Sequence, residues 1–231
     1  MDDTPDIARV ARLLADMART RIVWTLIDGS ARSAGELAYH AGISAQSASA
    51  HLTKLVEGGL LAVEAQGRHR YFRIASTEVA CMIESMAALA SGTELGLPQC
   101  LGSAHSPTEA FMYARTCYDH LAGEIAVRVL ASMTKARWLR RQGVELVATR
   151  LGERQLHAMG IDLASAQGER RVFARPCADL TQRQPHLGGA LGTHMLRLYI
   201  DQSWIVRSPK SRLVSVTPKG NEMFGKLLNI A

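Results

Sequence analysis

Two stretches of this 231-residue sequence carry cysteine, carboxylate and histidine in nearly the same order. Residues 115–125 read RTCYDHLAGEI, and residues 175–189 read RPCADLTQRQPHLGG. Each runs Arg-x-Cys-x-Asp and then His-Leu-x-Gly, with six extra residues between Asp and His in the second copy. Three chemistries fit these side chains. Cys117, His120, Cys177 and His186, if they converge, make a Cys/His donor set suited to zinc or another thiophilic metal ion. Alternatively, Cys117 and Cys177 are thiols whose neighbouring Arg and His favour the thiolate and its oxidation. In the third reading the segments frame a pocket for an organic effector, anionic or polar, drawn by Arg115, Arg175 and Arg183, or pair for purely structural reasons, and the cysteines only pack. Asp119 and Asp179 serve as ion-pair partners or pocket walls beside Arg115 and Arg175. Catalysis is not expected. There is no H-E-x-x-H, G-x-S-x-G or Gly-rich phosphate loop, and a Cys/His pair on one helix lacks a third orienting group.

The elements that must position these residues follow from apolar spacing. The period predicts one long helix from Glu109 to about Lys135. On it Cys117, His120, Leu121 and Glu124 share a face, while Asp119 lies about 200° from Cys117. Arg115 and Asp119 are then an i,i+4 pair, a spacing that Arg175 and Asp179 repeat. In the second copy a strand is expected over Arg171–Arg175, and His186 opens a helix running to about Ser203. VATRLGERQLHAMGI (147–161) and VSVTPKGNEMFGKLLNI (214–230) share a strand end, a capping Thr and a Gly three residues on, a weak internal repeat.

Composition bounds the rest. With 47% hydrophobic residues the chain can bury a sizeable core. No apolar run approaches the length of a membrane span, and the acidic opening MDDTPDIARV is unlike a signal peptide. Four unevenly spaced cysteines make no disulfide framework, so a reducing cytoplasm is expected. The net charge of +6 divides into −1 for residues 1–92 and +7 for residues 93–231. Any nucleic-acid contact by the first part must therefore rest on locally placed cations.

Residues 1–92 read as short helices and one hairpin. Amphipathic helices are expected at Ile7–Met17 and Thr20–Ile27. Ser33 with Glu36 forms a capping box for a third helix that Gly42 ends. Ser44 caps a fourth, with Ala48, Leu52, Leu55 and Val56 as its buried stripe and Gly58-Gly59 as its stop. Leu60–Glu64 and Arg70–Ile74 flank a turn and form a hairpin, and Ser76 caps a helix to about Ala90. Helices 33–41 and 44–57 make a helix-turn-helix whose second member suits the major groove. Its outer side carries Ala45, Gln46, Ser47, Ser49, Ala50, Thr53 and Lys54, small or hydrogen-bonding groups that can approach bases and phosphates. Arg68, His69, Arg70 and Arg73 belong to the hairpin.

These segments carry a resemblance. Ala15–Arg21, Ser49-x-His51-Leu52, Gly58-Gly59-Leu60-Leu61 and Gly67-Arg68 followed by Tyr71 make residues 7–92 similar to the winged helix-turn-helix of the ArsR family of bacterial transcriptional regulators. The resemblance implies a homodimer on a palindromic double-stranded DNA operator, usually a repressor released by an effector. It places DNA contacts on Ser44, Gln46, Ser47, Ser49, His51 and Lys54, and on Arg68 and Arg70 of the wing. The family's two usual metal sites are missing here. GELAYHAG before the recognition helix has no cysteine, and Ser76–Ala90 offers only Glu78, Cys81 and Glu84 in place of Asp/His pairs. Cys81 is read as a small apolar residue on a dimer-forming helix. The part beyond resembles a C-terminal extension of one branch, in which R-x-C-x-D-H-L-x-G and H-L-x-G-A-L-G recur, and that resemblance brings no ligand with it.

The expected fold is mainly α with small β wings, an α+β class. It comprises a winged helix-turn-helix for DNA binding and dimerisation (1–92), a Gly/Ser/Pro-rich linker (93–107) and an α+β effector-sensing domain (108–231). The cofactor is unknown, with a thiophilic metal ion or an organic effector as candidates. The partners are operator DNA and a second copy, with no membrane.

Overall fold

The computed structural model describes residues 6–66, 69–90, 108–209 and 211–229. The expected linker 93–107 lies outside them. The chain divides into two compact units, Met1–Ile83 and Glu84–Ala231.

The first unit begins with α1 (Ile7–Leu14) and α2 (Met17–Thr25), broken where the Asp16 carboxylate accepts from Arg19 N. The expected helix Ile7–Met17 is thus cut short by an N-cap. A short strand β1 (Arg32–Ser33) leads into α3 (Ala34–Ala41), then α4 (Ala45–Glu57). The Ser33/Glu36 capping box is formed, and Gly42 ends α3 in the left-handed conformation at φ 69°. Both signals sit in the sequence because orphan helix-end groups need local partners. β2 (Leu61–Gln66) and β3 (His69–Ile74) pair antiparallel from Leu61↔Ile74 to Gln66↔His69. β1 adds to β3, giving the order β1-β3-β2, a strand that sequence patterning did not reveal. Ile22, Val23, Leu26, Leu37, Leu52, Leu55, Phe72 and Ile74 form the core. Val56, expected in the buried stripe, is only half-buried. α5 (Thr77–Ala90) begins in this unit.

The second unit repeats one pattern twice. The first copy runs α6 (Glu109–Tyr113), hairpin β4 (Arg115–Cys117)–β5 (His120–Ala122), α7 (Glu124–Lys135), hairpin β6 (Leu139–Gln142)–β7 (Glu145–Ala148) and α8 (Arg150–Ala158). After α9 (Leu163–Gly168) the second copy runs β8 (Arg175–Ala178)–β9 (Pro185–Gly188), α10 (Ala190–Asp201), β10 (Ile205–Arg207)–β11 (Val214–Val216) and α11 (Pro218–Leu228). Corresponding joints match in detail. Gly123 and Gly189 turn the chain into α7 and α10 at φ 92° and 86°. Thr149 Oγ1 donates to Arg137 O and Thr217 Oγ1 to Ser203 O, at 2.6 and 2.7 Å. The weak repeat read at 147–161 and 214–230 is the tail of this larger duplication.

The copies interlock. α7 packs against β9 and α10 against β5, so each helix covers the other copy's first hairpin. The core beneath holds Ile125, Val129, Met133, Trp138, Leu191, Met195, Tyr199, Trp204 and Phe224. Tyr199 stacks on Trp204 with ring centroids 5.0 Å apart, and Phe224 meets both edge-on.

The single helix expected over Glu109–Lys135 is therefore corrected. Tyr118 at φ 53° and Gly123 at φ 92° break it into α6, a hairpin and α7. Strands β4 and β5 are three residues long and wholly buried, so they show no in/out alternation. Apolar residues in such a strand also satisfy a helical period. Likewise the second strand begins at Arg175, not Arg171, and His186 lies on β9, with the helix opening only at Ala190.

Candidate nucleic-acid interface and Cys/His centre

On the first unit, α4 buries Ala48, Leu52 and Leu55 and exposes the other side. Ser44, Ala45, Gln46, Ser47, Ser49, Ala50, Thr53 and Lys54 are all exposed. Ser44 caps the helix by accepting from Ser47 N at 3.1 Å, and its hydroxyl also donates to Ser47 Oγ at 2.9 Å. His51 differs from the other five contacts expected here (Ser44, Gln46, Ser47, Ser49 and Lys54) because it turns toward α2. Its Nδ1 lies 3.5 Å from Arg19 Nη1 and 3.9 Å from Asp16 Oδ1. Arg70 is exposed on β3, with its guanidinium 5.6 Å from the Phe72 ring centre. Arg68 lies outside the described residues.

On the second unit the two recurrent segments meet. Both hairpins put cysteine directly opposite histidine, Cys117↔His120 and Cys177↔His186. A cross-strand pair puts both side chains on one face, and the pseudo-symmetric packing of the copies turns those faces together. One donor atom from each of Cys117, His120, Cys177 and His186 lies within 4.8 Å of every other. The sulfurs are 3.8 Å apart and the Nε2 atoms 3.1 Å apart. Both histidines are completely buried, and Cys117 and Cys177 are 1% and 5% exposed.

The carboxylates stand behind the histidines. Asp119 Oδ1 is 3.0 Å from His120 Nδ1, and Asp179 Oδ2 is 3.2 Å from His186 Nδ1. That second contact is at ion-pair distance but is too poorly aligned for a hydrogen bond. Asp179 also accepts from Gly123 N at 2.8 Å and from Arg115 Nη2 at 2.6 Å. Asp119 pairs with Arg171. The expected i,i+4 pair within the first segment is thus corrected: a hairpin cannot bring Arg115 to Asp119, and Arg115 reaches across to the other copy's Asp179. Arg175, at the head of β8 opposite Gly188, is half-buried.

Electrostatics follow from these contacts. Burial works against charge on His120, yet the Asp119 hydrogen bond and Cys177, as a thiolate, raise its pKa to about 9. For His186 burial prevails over Asp179, and the pKa falls to about 4. Two Nε2 atoms 3.1 Å apart accommodate one proton between them, and the two shifts describe one charged and one neutral ring. Burial also opposes ionisation of Asp119, but His120 and Arg171 hold its pKa down to about 2. Asp179 is held well below the usual carboxylate range despite burial, by His186 and Arg115.

Sequence reading misses one member of this centre, Arg171, whereas Gly188 reads, with Gly189 and Gly192, as a place for close packing or approach of a ligand. Arg171 holds Asp119 from 52 residues away and donates to Thr193 Oγ1 at 2.7 Å, a contact with no local signature. Gly188 lies so close that a Cβ there would be 3.2 Å from Cys177 Cβ and 3.3 Å from His120 Nε2. One clue to the hairpins was present. Pro176 sits inside the second Arg-x-Cys-x-Asp and cannot occupy a helix interior, which argues against a helix for both copies of the motif.

Residues 14–64 match a family model described as a helix-turn-helix domain. The uncharacterised HTH-type transcriptional regulator YdfF of Bacillus subtilis is 38% identical over 226 residues, covering 98% of this chain and 98% of its own. The HTH-type transcriptional regulator Rv0324 of Mycobacterium tuberculosis is 30% identical over 125 residues, 52% of this chain and 54% of its own. A homodimeric winged helix-turn-helix DNA-binding domain from Mycobacterium bovis, described as from a possible ArsR-family regulator, is 30% identical with a TM-score of 0.34. It covers 39% of this chain and 90% of that one. The match to YdfF runs through both units. The chain belongs to the HTH-type transcriptional regulators, with YdfF as a relative over its full length, C-terminal unit included.

Proposed function

We propose that this regulator is a homodimeric repressor of a palindromic operator, with α4 in the major groove and the β2–β3 hairpin beside it as the wing. The observation that carries this is the exposed face of α4. Ser44, Gln46, Ser47, Ser49 and Lys54 project from a helix whose opposite side is locked by Ala48, Leu52 and Leu55. Short side chains allow the backbone to approach the groove, and Lys54 supplies a phosphate contact. Arg68 and Arg70 extend the contact along the backbone. His51, held against α2, acts by fixing the helix rather than by reaching a base. The C-terminal unit receives the effector and releases the operator.

Binding of the full-length dimer to DNA from upstream of its own gene tests this reading. Ser49→Ala and Lys54→Ala are each expected to weaken binding, by about tenfold for a contact worth about 1–2 kcal/mol. Undiminished affinity in the double variant would take α4 out of the groove.

A further inference from the structure

We infer that Cys117, His120, Cys177 and His186 form a tetrahedral site for one thiophilic divalent cation, zinc being the best fit, which clamps the two hairpins together. This site is built from the hairpins of the second unit, and none of its four residues belongs to the segments in which the resemblance would place a metal. It does not depend on the operator reading.

The first argument is distance. A tetrahedral zinc ion with bonds of about 2.3 Å to sulfur and about 2.0 Å to nitrogen needs edges of about 3.8 Å between sulfurs and about 3.3 Å between nitrogens. The observed edges are 3.8 and 3.1 Å. All six pairs of donors fall within 4.8 Å.

The second argument is orientation. His120 Nδ1 is hydrogen-bonded to Asp119, His186 Nδ1 lies at ion-pair distance from Asp179, and both Nε2 atoms face the centre. A carboxylate behind an imidazole fixes the ring and raises the basicity of the other nitrogen, the recurring support of a zinc-bound histidine. Two Nε2 lone pairs aimed at one another in a dry interior repel unless a proton or a cation lies between them.

The third argument is charge. Asp119 and Asp179 are balanced by Arg171 and Arg115. A divalent cation with two thiolates adds no net charge to the buried centre, as burial favours; Arg171 is shared between Asp119 and the partly exposed Glu169. Loading releases the two thiol protons and any proton held by the histidines, with no change of oxidation state. Four protein donors leave no open position, which makes the ion a clamp between the copies rather than a reaction centre.

The test uses full-length protein, reduced, freed of metal with a chelator and desalted anaerobically, then titrated with Co2+ and displaced with Zn2+. One Co2+ per chain is expected, with the intense visible bands of tetrahedral cobalt and a thiolate-to-cobalt charge-transfer band, all lost on adding one equivalent of Zn2+. Cys117→Ser and Cys177→Ser should each lose the spectrum's two-thiolate intensity. Asp119→Asn should weaken uptake about 10–100-fold while keeping the spectrum. Should a cysteine variant fail to fold, the wild-type titration decides alone. Wild-type protein that takes up no cobalt, gives an octahedral spectrum, or keeps full uptake in a folded Cys117→Ser/Cys177→Ser double variant overturns the proposal. So does protein purified from its own cells with no metal and an intact mass two hydrogens short, the mark of a Cys117–Cys177 disulfide. None of these readouts involves DNA, so a failure here leaves the operator reading standing, and the reverse also holds.

Discussion

Buried charges in this molecule are paired, and the pairing tells which residues the fold depends on. In the first unit Arg32 Nη2 reaches Asp28 Oδ2 at 2.8 Å, with both side chains almost fully buried. Burial alone would raise the Asp28 pKa, but the hydrogen bonds from Ser30 and the Arg32 contact bring it below its ordinary value of 3.8. A carboxylate with a depressed folded pKa stabilises the fold fully above the unfolded value and loses that contribution as pH falls through the folded one. Asp28→Asn is therefore expected to cost about 1–3 kcal/mol at neutral pH. Its difference from the wild type should narrow below about pH 4, as chemical denaturation at several pH values would show. In the second unit Arg115 and Asp179 are 1% and 0% exposed, and each comes from a different copy of the repeat. Their separation in sequence is 64 residues, so their pairing reports the duplication directly.

At the scale of elements, the duplicated unit works by repeating one joint. In each copy a Trp follows the helix after the first hairpin (α7 or α10), a second hairpin follows the Trp, and a Thr caps the next helix while its glycine lies against the Trp carbonyl. A Cβ added to Gly152 would lie 1.9 Å from Trp138 O, and one added to Gly220 would lie 1.9 Å from Trp204 O. Nothing can relax there without moving backbone. Gly220→Ala should destabilise the protein by about 1–3 kcal/mol or more. In the same helix Gly225 meets nothing within 4 Å, and Gly225→Ala should be neutral or stabilise by about 0.5–1 kcal/mol. Thermal unfolding of the two variants compares them directly, and equal effects would contradict the close-approach account.

For the whole molecule, charge is unevenly used. The first 92 residues are net −1, and several of their cations are committed internally. Arg19 donates to Leu13 O, Arg21 to Ala41 O, Arg32 pairs with Asp28, and Arg73 pairs with Glu64. On the proposed face this leaves Lys54, Arg68 and Arg70 for phosphates. With about three phosphate contacts per protomer, operator affinity should fall with the logarithm of salt at a slope of about −2.7 per protomer, or about −5.4 for a dimer. A slope near −10 would mean that cations of the basic C-terminal half also touch DNA. Lys54→Ala should lower the slope by about one unit per protomer.

The sequence by itself determined the helix-turn-helix, because its signals are local. Ser33 with Glu36, Gly42, and Ser44 are caps whose partners lie within four residues, and the buried stripe of α4 repeats at the helical period. It also determined that 115–125 and 175–189 are related and that Cys117, His120, Cys177 and His186 are the residues to watch. It did not determine their conformation. The three-residue strands β4 and β5, buried on both faces, leave no alternation to read, and their apolar spacing imitates a helix. Whether the four donors meet was decided only by tertiary structure. Each hairpin brings one Cys to one His, but joining the pairs requires α7 to cover β9 and α10 to cover β5. Arg171, Gly188 and the crossed Arg115–Asp179 pair belong to that same long-range arrangement, in which each copy of the motif is completed by side chains from the other.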